Sequence, residues 1–261
     1  MGNSNFEKEF SIAWVTGAGK GIGKEITLQL INEGWLVAAS SRSNDDLQQL
    51  LKICPPKTLF IYPLDITDLK KTKFTIEKIE TTHGKISLAI LNAGTFQPIS
   101  IENFSVNTFR LLVETNLMGT VNGLAQIIPR FIKRKNGQIV VVSSLSGYRG
   151  LPTSSAYGAT KAALINMCES LKPELDLHNI HLTLVNPGFV KTPLTDKNTF
   201  YMPFLLSARE AAALIISGVK KKKFEVTFPF GFSIFMKLLR ILPYRIYFFL
   251  TQWVIQDEQK K

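Results

Sequence analysis

Residues 11–23 read Ser-Ile-Ala-Trp-Val-Thr-Gly-Ala-Gly-Lys-Gly-Ile-Gly, and this run decides the fold. Ser11–Thr16 is a short apolar run of the kind a buried strand needs. Gly17, Gly19, Gly21 and Gly23 follow, and Gly21–Glu33 then reads as a helix. A strand that passes through a glycine-rich turn directly into a helix is the first half of a β-α-β unit. Similar apolar runs lie downstream at Leu36–Ser41, Leu59–Leu64, Ser87–Leu91, Gln138–Val142, His181–Val185 and Glu225–Phe228. Between them, Val106–Lys133 reads as one long helix, and Ser155–Leu177 as a helix that Pro173 should kink or break. Strands alternating with helices imply an α/β protein, a doubly wound parallel sheet with helices on both faces.

A chain of 261 residues suits one such domain with a large core. No composition break precedes about residue 220, so residues 1–220 are expected to form the main domain. Residues 221–261 would add the last strand and a C-terminal extension. Two cysteines, Cys54 and Cys168, make no disulfide framework and suggest a reducing compartment. Met1–Phe10 lacks the basic and apolar regions of a signal peptide, and no segment supplies the roughly 20 apolar residues of a transmembrane helix. The expected location is cytoplasmic, with association to the inner face of a membrane left open. His83, His178 and His181 have no Cys or carboxylate cluster beside them, so no metal is expected. The net charge of +11 suits an anionic cofactor or an anionic membrane surface, or is simply a solvated lysine-rich exterior; no nucleic-acid partner is expected.

The glycine turn carries chemistry as well as fold. Glycines let the backbone approach a pyrophosphate, whose charge then sits at the positive helix N-terminus, so the turn reads as a dinucleotide site. NAD sites commonly place an acid after the second strand; this chain has Ser40-Ser41-Arg42-Ser43 and no acid until Asp45. Lys20 and Arg42, with no carboxylate, suit a 2′-phosphate, so NADP(H) is expected, with NAD(H) as the alternative. Farther on, Tyr157 and Lys161 lie four apart and share one face of a helix. An ammonium beside the phenol should lower its pKa towards neutrality and fit it for proton exchange with a carbonyl or alcohol. With Ser144 as a second hydroxyl donor to the same oxygen, the set points to hydride transfer between a nicotinamide cofactor and a carbonyl or alcohol.

Taken together, Thr16–Gly23, Asp65-Ile66, Asn92-Ala93-Gly94, Asn116, Ser143-Ser144, Tyr157 with Lys161, and Asn186-Pro187-Gly188 followed by Thr192 resemble the classical short-chain dehydrogenases/reductases, in the family's order over roughly residues 10–195. The resemblance implies a Rossmann-type fold and roles for these positions. Gly17, Gly19, Lys20, Gly21, Ile22, Gly23, Ser41 and Arg42 would hold the phosphate and ribose end of the cofactor. Asp65 and Ile66 would contact adenine, and Asn92, Ala93 and Gly94 would line the cofactor. Pro187, Gly188, Val190 and Thr192 would hold the nicotinamide end. Asn116 would hold a water in a proton relay with Lys161, Ser144 would bond the substrate carbonyl, Tyr157 would transfer the proton, and Lys161 would also bind the nicotinamide ribose. A homodimer or homotetramer is implied. A non-catalytic NADP(H)-binding regulator or a peripheral membrane scaffold is the alternative reading.

Two segments depart from the ordinary. Thr192–Ala208 holds Pro193, Leu194, Phe200, Tyr201, Met202, Pro203, Phe204, Leu205 and Leu206, an apolar lid that suggests a hydrophobic, lipid-like carbonyl or alcohol substrate. After Lys220–Lys223 the chain turns aromatic and apolar. Pro243 divides it into two helices, with Lys237 and Arg240 on one face of the first. Residues 230–256 could contact a membrane surface, a second subunit or their own domain.

Overall fold

The structure, a computed structural model, describes residues 12–197 and 202–259, with the side chains of residues 197 and 253–259 outside that description. The opening run folds as read: β1 (Ile12–Thr16) is buried throughout, and α1 (Gly21–Asn32) starts inside the glycine run. The chain continues through β2 (Leu36–Ser41), α2 (Asn44–Ile53), β3 (Leu59–Pro63), α3 (Leu69–His83) and β4 (Ile86–Leu91). Then come α4 (Val106–Leu112), α5 (Gly119–Arg134), β5 (Gly137–Val142), α6 (Ser155–Leu177) and β6 (Ile180–Pro187). The short strands β7 (Val190–Lys191) and β8 (Leu206–Ser207) precede α7 (Ala208–Lys220), β9 (Glu225–Phe228), α8 (Phe230–Ile241) and α9 (Tyr244–Gln259).

Seven strands form one sheet in the order β3-β2-β1-β4-β5-β6-β9, every neighbouring pair parallel. Successive side chains of a strand point to opposite faces, and β1 divides accordingly. Ile12 and Trp14 join a core with Ile79, Phe131 and Leu164, while Ala13 and Val15 join another with Ile26 and Ile215. Both faces are therefore covered, which is why β1, β4 and β5 read as nearly continuous apolar runs. The strand order reverses between β1 and β4. The loops leaving their C-terminal ends part there and open a crevice at the sheet edge, the place where such sheets bind ligands.

Two helical expectations need correction. Val106–Lys133 is not one α-helix: a π-helical segment, Val113–Met118, separates α4 from α5. An inserted residue widens the turn while apolar periodicity on either side survives, so the pattern does not reveal it. Helix α6 continues through Pro173, so of the expected kink or break the break does not occur. Pro173 and Glu169, whose carbonyl loses its helical donor, are both exposed, so water can satisfy that carbonyl.

The C-terminal segment packs on its own domain by one side. Strand β9 is the seventh strand of the sheet, and α8 turns Ser233 and Met236 inward, with Phe232 and Leu239 against the core. Arg149, in the loop before α6, donates to the carbonyls of Arg240 and Leu242 at 3.2 Å each, which would otherwise be orphaned at the end of α8. Its guanidinium lies between the rings of Tyr244 (4.7 Å) and Tyr247 (4.4 Å), and the Tyr247 hydroxyl donates to the Gly150 carbonyl. The parallel pair β7–β8 joins the two ends of the Thr192–Ala208 segment, of which Phe200 and Tyr201 lie outside the described residues.

Arg149→Ala should cost about 2 kcal/mol in urea unfolding, from two hydrogen bonds and two cation–π contacts. Limited proteolysis should then cut near residues 240–244 before the rest of the domain opens; an unchanged digestion pattern would show that the helices are held otherwise.

Candidate active site

The crevice at the strand reversal is organised by Thr16 and Asn92. The Thr16 hydroxyl donates to the Ile90 carbonyl (3.4 Å) and accepts from the amides of Asn92 (3.0 Å) and Ala93 (3.1 Å). The Asn92 amide group donates back to the carbonyls of Thr16 (3.1 Å) and Gly17 (3.3 Å). The glycine turn is thereby fastened to the end of β4. Only glycine fits at its tightest points. Gly17 has φ +66°, and a Cβ there would lie 2.8 Å from the Ala93 Cα; a Cβ on Gly23 would lie 2.2 Å from the Gly17 carbonyl oxygen. Thr192 closes the far side, its methyl 3.0 Å from where a Cβ of Gly21 would stand.

An open cleft of about 350 Å³ runs beside this turn, and its lining includes Gly17, Lys20, Ser41, Arg42, Asp65 and Gly94. Ile66 and Ala93 face it as well. No side chain caps the start of α1 at Lys20, so its first N–H groups have no side-chain acceptor. Uncapped amides, a dipole end and two cations beside a crevice that admits backbone only as glycine fit a dinucleotide diphosphate. One expectation changes. Asp46, in the first turn of α2, also lines the cleft and pairs with Lys20 at 3.1 Å, so the pocket is not free of carboxylates. The turn of α2 after its cap at Ser43, which accepts from the Asp46 amide, brings Asp46 rather than Asp45 inward.

Ser144, Tyr157 and Lys161 come together at the C-terminal end of β5. Lys161 is 4% exposed, and its ammonium donates to the Val142 carbonyl at 2.9 Å. That ammonium stands 5.6 Å from the centroid of the Tyr157 ring, and Phe96 packs edge-on against the same ring at 5.1 Å. Ser143 donates to the Lys161 carbonyl at 2.8 Å, which ties α6 to the strand end. The Ser144 hydroxyl accepts from the Ser146 amide (3.1 Å) and donates towards the Pro187 carbonyl (3.5 Å).

The charges do not behave as spacing alone suggests. Burial pushes the Tyr157 phenol up to about 12, with the Ser144 hydroxyl's hydrogen bond pulling the other way. Burial also brings Lys161 down to about 8. Desolvation is the largest cause of both shifts, so the expectation of a phenol lowered towards neutrality does not hold.

Asn116 is fully buried in the π-helical segment, and its amide is committed. Its Oδ1 accepts from the Thr95 amide at 2.7 Å, while Nδ2 donates to the Thr95 carbonyl (2.9 Å) and the Thr160 hydroxyl (3.2 Å). It thus holds the loop after β4 against α6. Asn186 plays the matching part on the other side, donating to the Tyr148 hydroxyl (3.1 Å) and to Glu225 (3.2 Å). Burial pushes Glu225 up, but hydrogen bonds from Lys237 and Tyr148 outweigh it and hold the carboxyl below its usual range. Gly188 donates to the Phe228 carbonyl at 2.7 Å, Val190 is buried in β7, and Pro187 ends β6. Among the described residues no cluster of His, Cys, Asp and Glu could hold a metal, and both cysteines are free.

A sequence profile described as short chain dehydrogenase matches residues 11–200. An uncharacterized oxidoreductase of Myxococcus xanthus is 33% identical over 240 residues, covering 91% of this chain and 94% of its own. The chain belongs to the short-chain dehydrogenase family. Another relative, 3-oxoacyl-(acyl-carrier-protein) reductase FabG of Thermotoga maritima, is 35% identical over 191 residues, covering 72% of this chain and 78% of its own. Among solved structures, a short chain dehydrogenase/reductase of Burkholderia phymatum in complex with NAD superposes with a TM-score of 0.82 at 19% identity, over 89% of this chain and 94% of that one. ElxO with NADP bound superposes with a TM-score of 0.77 at 24% identity, over 85% and 98%.

Several residues of this short-chain dehydrogenase site escaped sequence reasoning. Thr95, Phe96, Asp46 and Thr115, the last also in the cleft lining, stand in no ordered motif, although Asp46 does follow the Ser43 cap at the spacing of a helix start. The Val142 carbonyl that holds Lys161 is main chain and leaves no side-chain signature.

The buried lysine makes a pH prediction. In the folded chain Lys161 titrates at about 8, against 10.5 as the ordinary value. The unfolded chain therefore holds more protons between these values, and stability should rise with pH across that window. Tyr157, raised by burial, reverses the slope above about pH 10. Urea titrations of wild type minus Lys161→Met should show a gain of about 2 kcal/mol from about pH 8 to about pH 9.5. A flat difference would mean that Lys161 is not held as a buried cation.

Proposed function

We propose that the chain is an NADP(H)-dependent reductase or dehydrogenase acting on a hydrophobic carbonyl/alcohol pair, with Tyr157 as the proton donor and acceptor. The observation that carries this reading is the joint position of Ser144, Tyr157 and Lys161 at the end of β5. When bound, the nicotinamide cofactor supplies the hydride. In this reading Gly17, Gly19, Gly21, Ile22 and Gly23 seat its diphosphate at the start of α1, Asp65 and Ile66 its adenine, and Pro187, Gly188, Val190 and Thr192 its nicotinamide end. Ser144 and Tyr157 donate hydrogen bonds to the substrate oxygen as negative charge develops there. The Tyr157 phenolic proton then moves to that oxygen. The Lys161 ammonium stabilises the phenolate left behind, and Asn116 serves by fixing the loop and helix on which Lys161 depends. A phenol raised to about 12 stays protonated at neutral pH and so holds a proton to donate.

Arg42 and Lys20 support the choice of NADP(H), while Asp46 opposes it by neutralising Lys20. The apolar character of the substrate rests on the aromatic side chains near the nicotinamide-end residues. Phe189 stacks on Phe232 at 5.8 Å, and Phe204 approaches the same ring at 6.5 Å. The acyl-carrier-protein reductase among the relatives makes a fatty-acyl ketone a first compound to try. An assembly of two or four chains belongs to this reading, and the exposed Phe104, Val106 and Leu111 around α4 offer it apolar surface.

Tyr157→Phe should lower kcat by about three orders of magnitude while NADPH still binds, as read by nucleotide fluorescence. Near-normal turnover would remove Tyr157 from the role. Arg42→Asp should lower the NADPH-to-NADH affinity ratio by about tenfold or more, and Asp46→Asn should raise it. A ratio unmoved by Arg42→Asp would assign the 2′-phosphate to other groups.

A further inference from the structure

The α8–α9 hairpin is held from within and left open without. The inner side is committed to Met236, Ser233, the Lys237–Glu225 pair and the Arg149 clamp. Besides Tyr244 of the clamp, nine large apolar side chains between residues 230 and 250 are exposed. In α8, Phe230, Ile234, Leu238 and Ile241 fall at spacings of four, four and three, one stripe along the helix, with Ile241 76% exposed. In α9, Phe248 and Phe249 face out, Phe249 70% exposed. A soluble surface rarely concentrates such side chains so densely.

Charge decides what covers this face. Residues 220–256 contain seven Lys and Arg and one acid, Glu225, and no Asp or Glu occurs from 226 to 256. Glu225 is engaged with Lys237, Tyr148 and Asn186. Arg240, in the last turn of α8, and Arg245, in the first turn of α9, are both exposed. A two-fold dimer through this face would set each copy against its own kind, bringing arginines together with no carboxylate among the described side chains of α8 and α9 to receive them. An anionic lipid surface supplies the missing negative charge and admits the aromatic rings at its headgroup boundary. Neither helix crosses a bilayer, since no described helix is long and apolar enough, so both would lie in the interface plane. The face also continues towards the lid: Phe235 stacks on Phe232 at 6.2 Å, and Phe232 meets Phe189 and the exposed Phe204.

We propose that the outer face of α8–α9 docks this protein on the surface of an anionic lipid bilayer, with Phe230, Leu238, Ile241 and Phe249 entering the headgroup boundary and Arg240 and Arg245 meeting lipid phosphates.

The test is flotation of the purified full-length chain with vesicles of equal parts phosphatidylcholine and phosphatidylglycerol, and with phosphatidylcholine alone. Wild type should float with the mixed vesicles, about tenfold more tightly than with neutral ones, and raised salt should weaken it. Leu238→Asp with Phe249→Asp should abolish flotation, and Arg240→Gln with Arg245→Gln should weaken it about tenfold while leaving NADPH binding, read on the same samples, unchanged. That parallel reading separates failure of the docking surface from failure of the cofactor site. Wild type that floats with neither vesicle overturns the proposal, as does flotation that the aspartate pair leaves intact. A dimer in sedimentation that the aspartate pair dissociates, without flotation, assigns the face to a second copy and also overturns it.

Discussion

The knot between Thr16 and Asn92 is the interaction on which the rest depends. At the strand reversal nothing in sheet hydrogen bonding holds the outgoing loops of β1 and β4 in register, because each chain leaves the sheet there. One threonine hydroxyl satisfies two amides of the second loop, and one asparagine amide satisfies two carbonyls of the first. Loosening either would free the glycine turn from β4. The close approach of Gly17 to Ala93, which leaves no room for a Cβ at Gly17, would go with it. The same polar atoms therefore serve core and site together. This is how the carbonyls of Thr16 and Gly17 and the amides of Asn92 and Ala93 are paired where the crevice opens.

A second knot, less compact, holds the proton-transfer side. Lys161 would be costly as an isolated interior charge, so its position depends on the Val142 carbonyl and on α6 lying hard against β5. Asn116 contributes from the π-helical segment, where a widened turn lets a fully buried amide reach both Thr95 and Thr160. A regular helix through 106–134 would rotate everything beyond it by most of one residue's turn, about 100°. The irregularity in the helix and the order of the loop are thus one feature seen from two sides.

Much of this was legible in the sequence, and what was not has identifiable causes. The parallel sheet and the two-faced core follow from apolar runs broken by helices, because burial on both faces erases alternation in β1, β4 and β5; the order of the strands does not. The glycine turn announced itself because close backbone approach admits no other residue. Periodicity is blind to the π-helical insertion, since apolar spacing on each side of Val113–Met118 is intact. Pro173 misled for a different reason: its penalty depends on whether the freed carbonyl meets water, and that is a matter of exposure. Asp46 entered the cleft because the phase of α2 is set by the Ser43 cap, which a count of residues after β2 does not register. The sign of the Tyr157 shift was lost because spacing reports proximity to Lys161 and says nothing about the water both groups give up.

The C-terminal segment shows the same limit at longer range. Arg149 lies 91 residues from Arg240, so no local pattern links them. Yet the partners on each side have a common logic. A helix end needs donors for its last carbonyls, Arg149 is a planar donor that supplies two, and the rings of Tyr244 and Tyr247 lie against its guanidinium once Pro243 has turned the chain. The inner side of the hairpin is thus satisfied by one arginine and two rings. Because those contacts use the inward residues of both helices, the apolar residues that remain face outwards, and no repacking of α8 alone can hide them. A stripe of Phe230, Ile234, Leu238 and Ile241 cannot turn inward without exposing Ser233 and Met236 and breaking the Lys237–Glu225 pair. Its exposure is a consequence of how the hairpin is anchored.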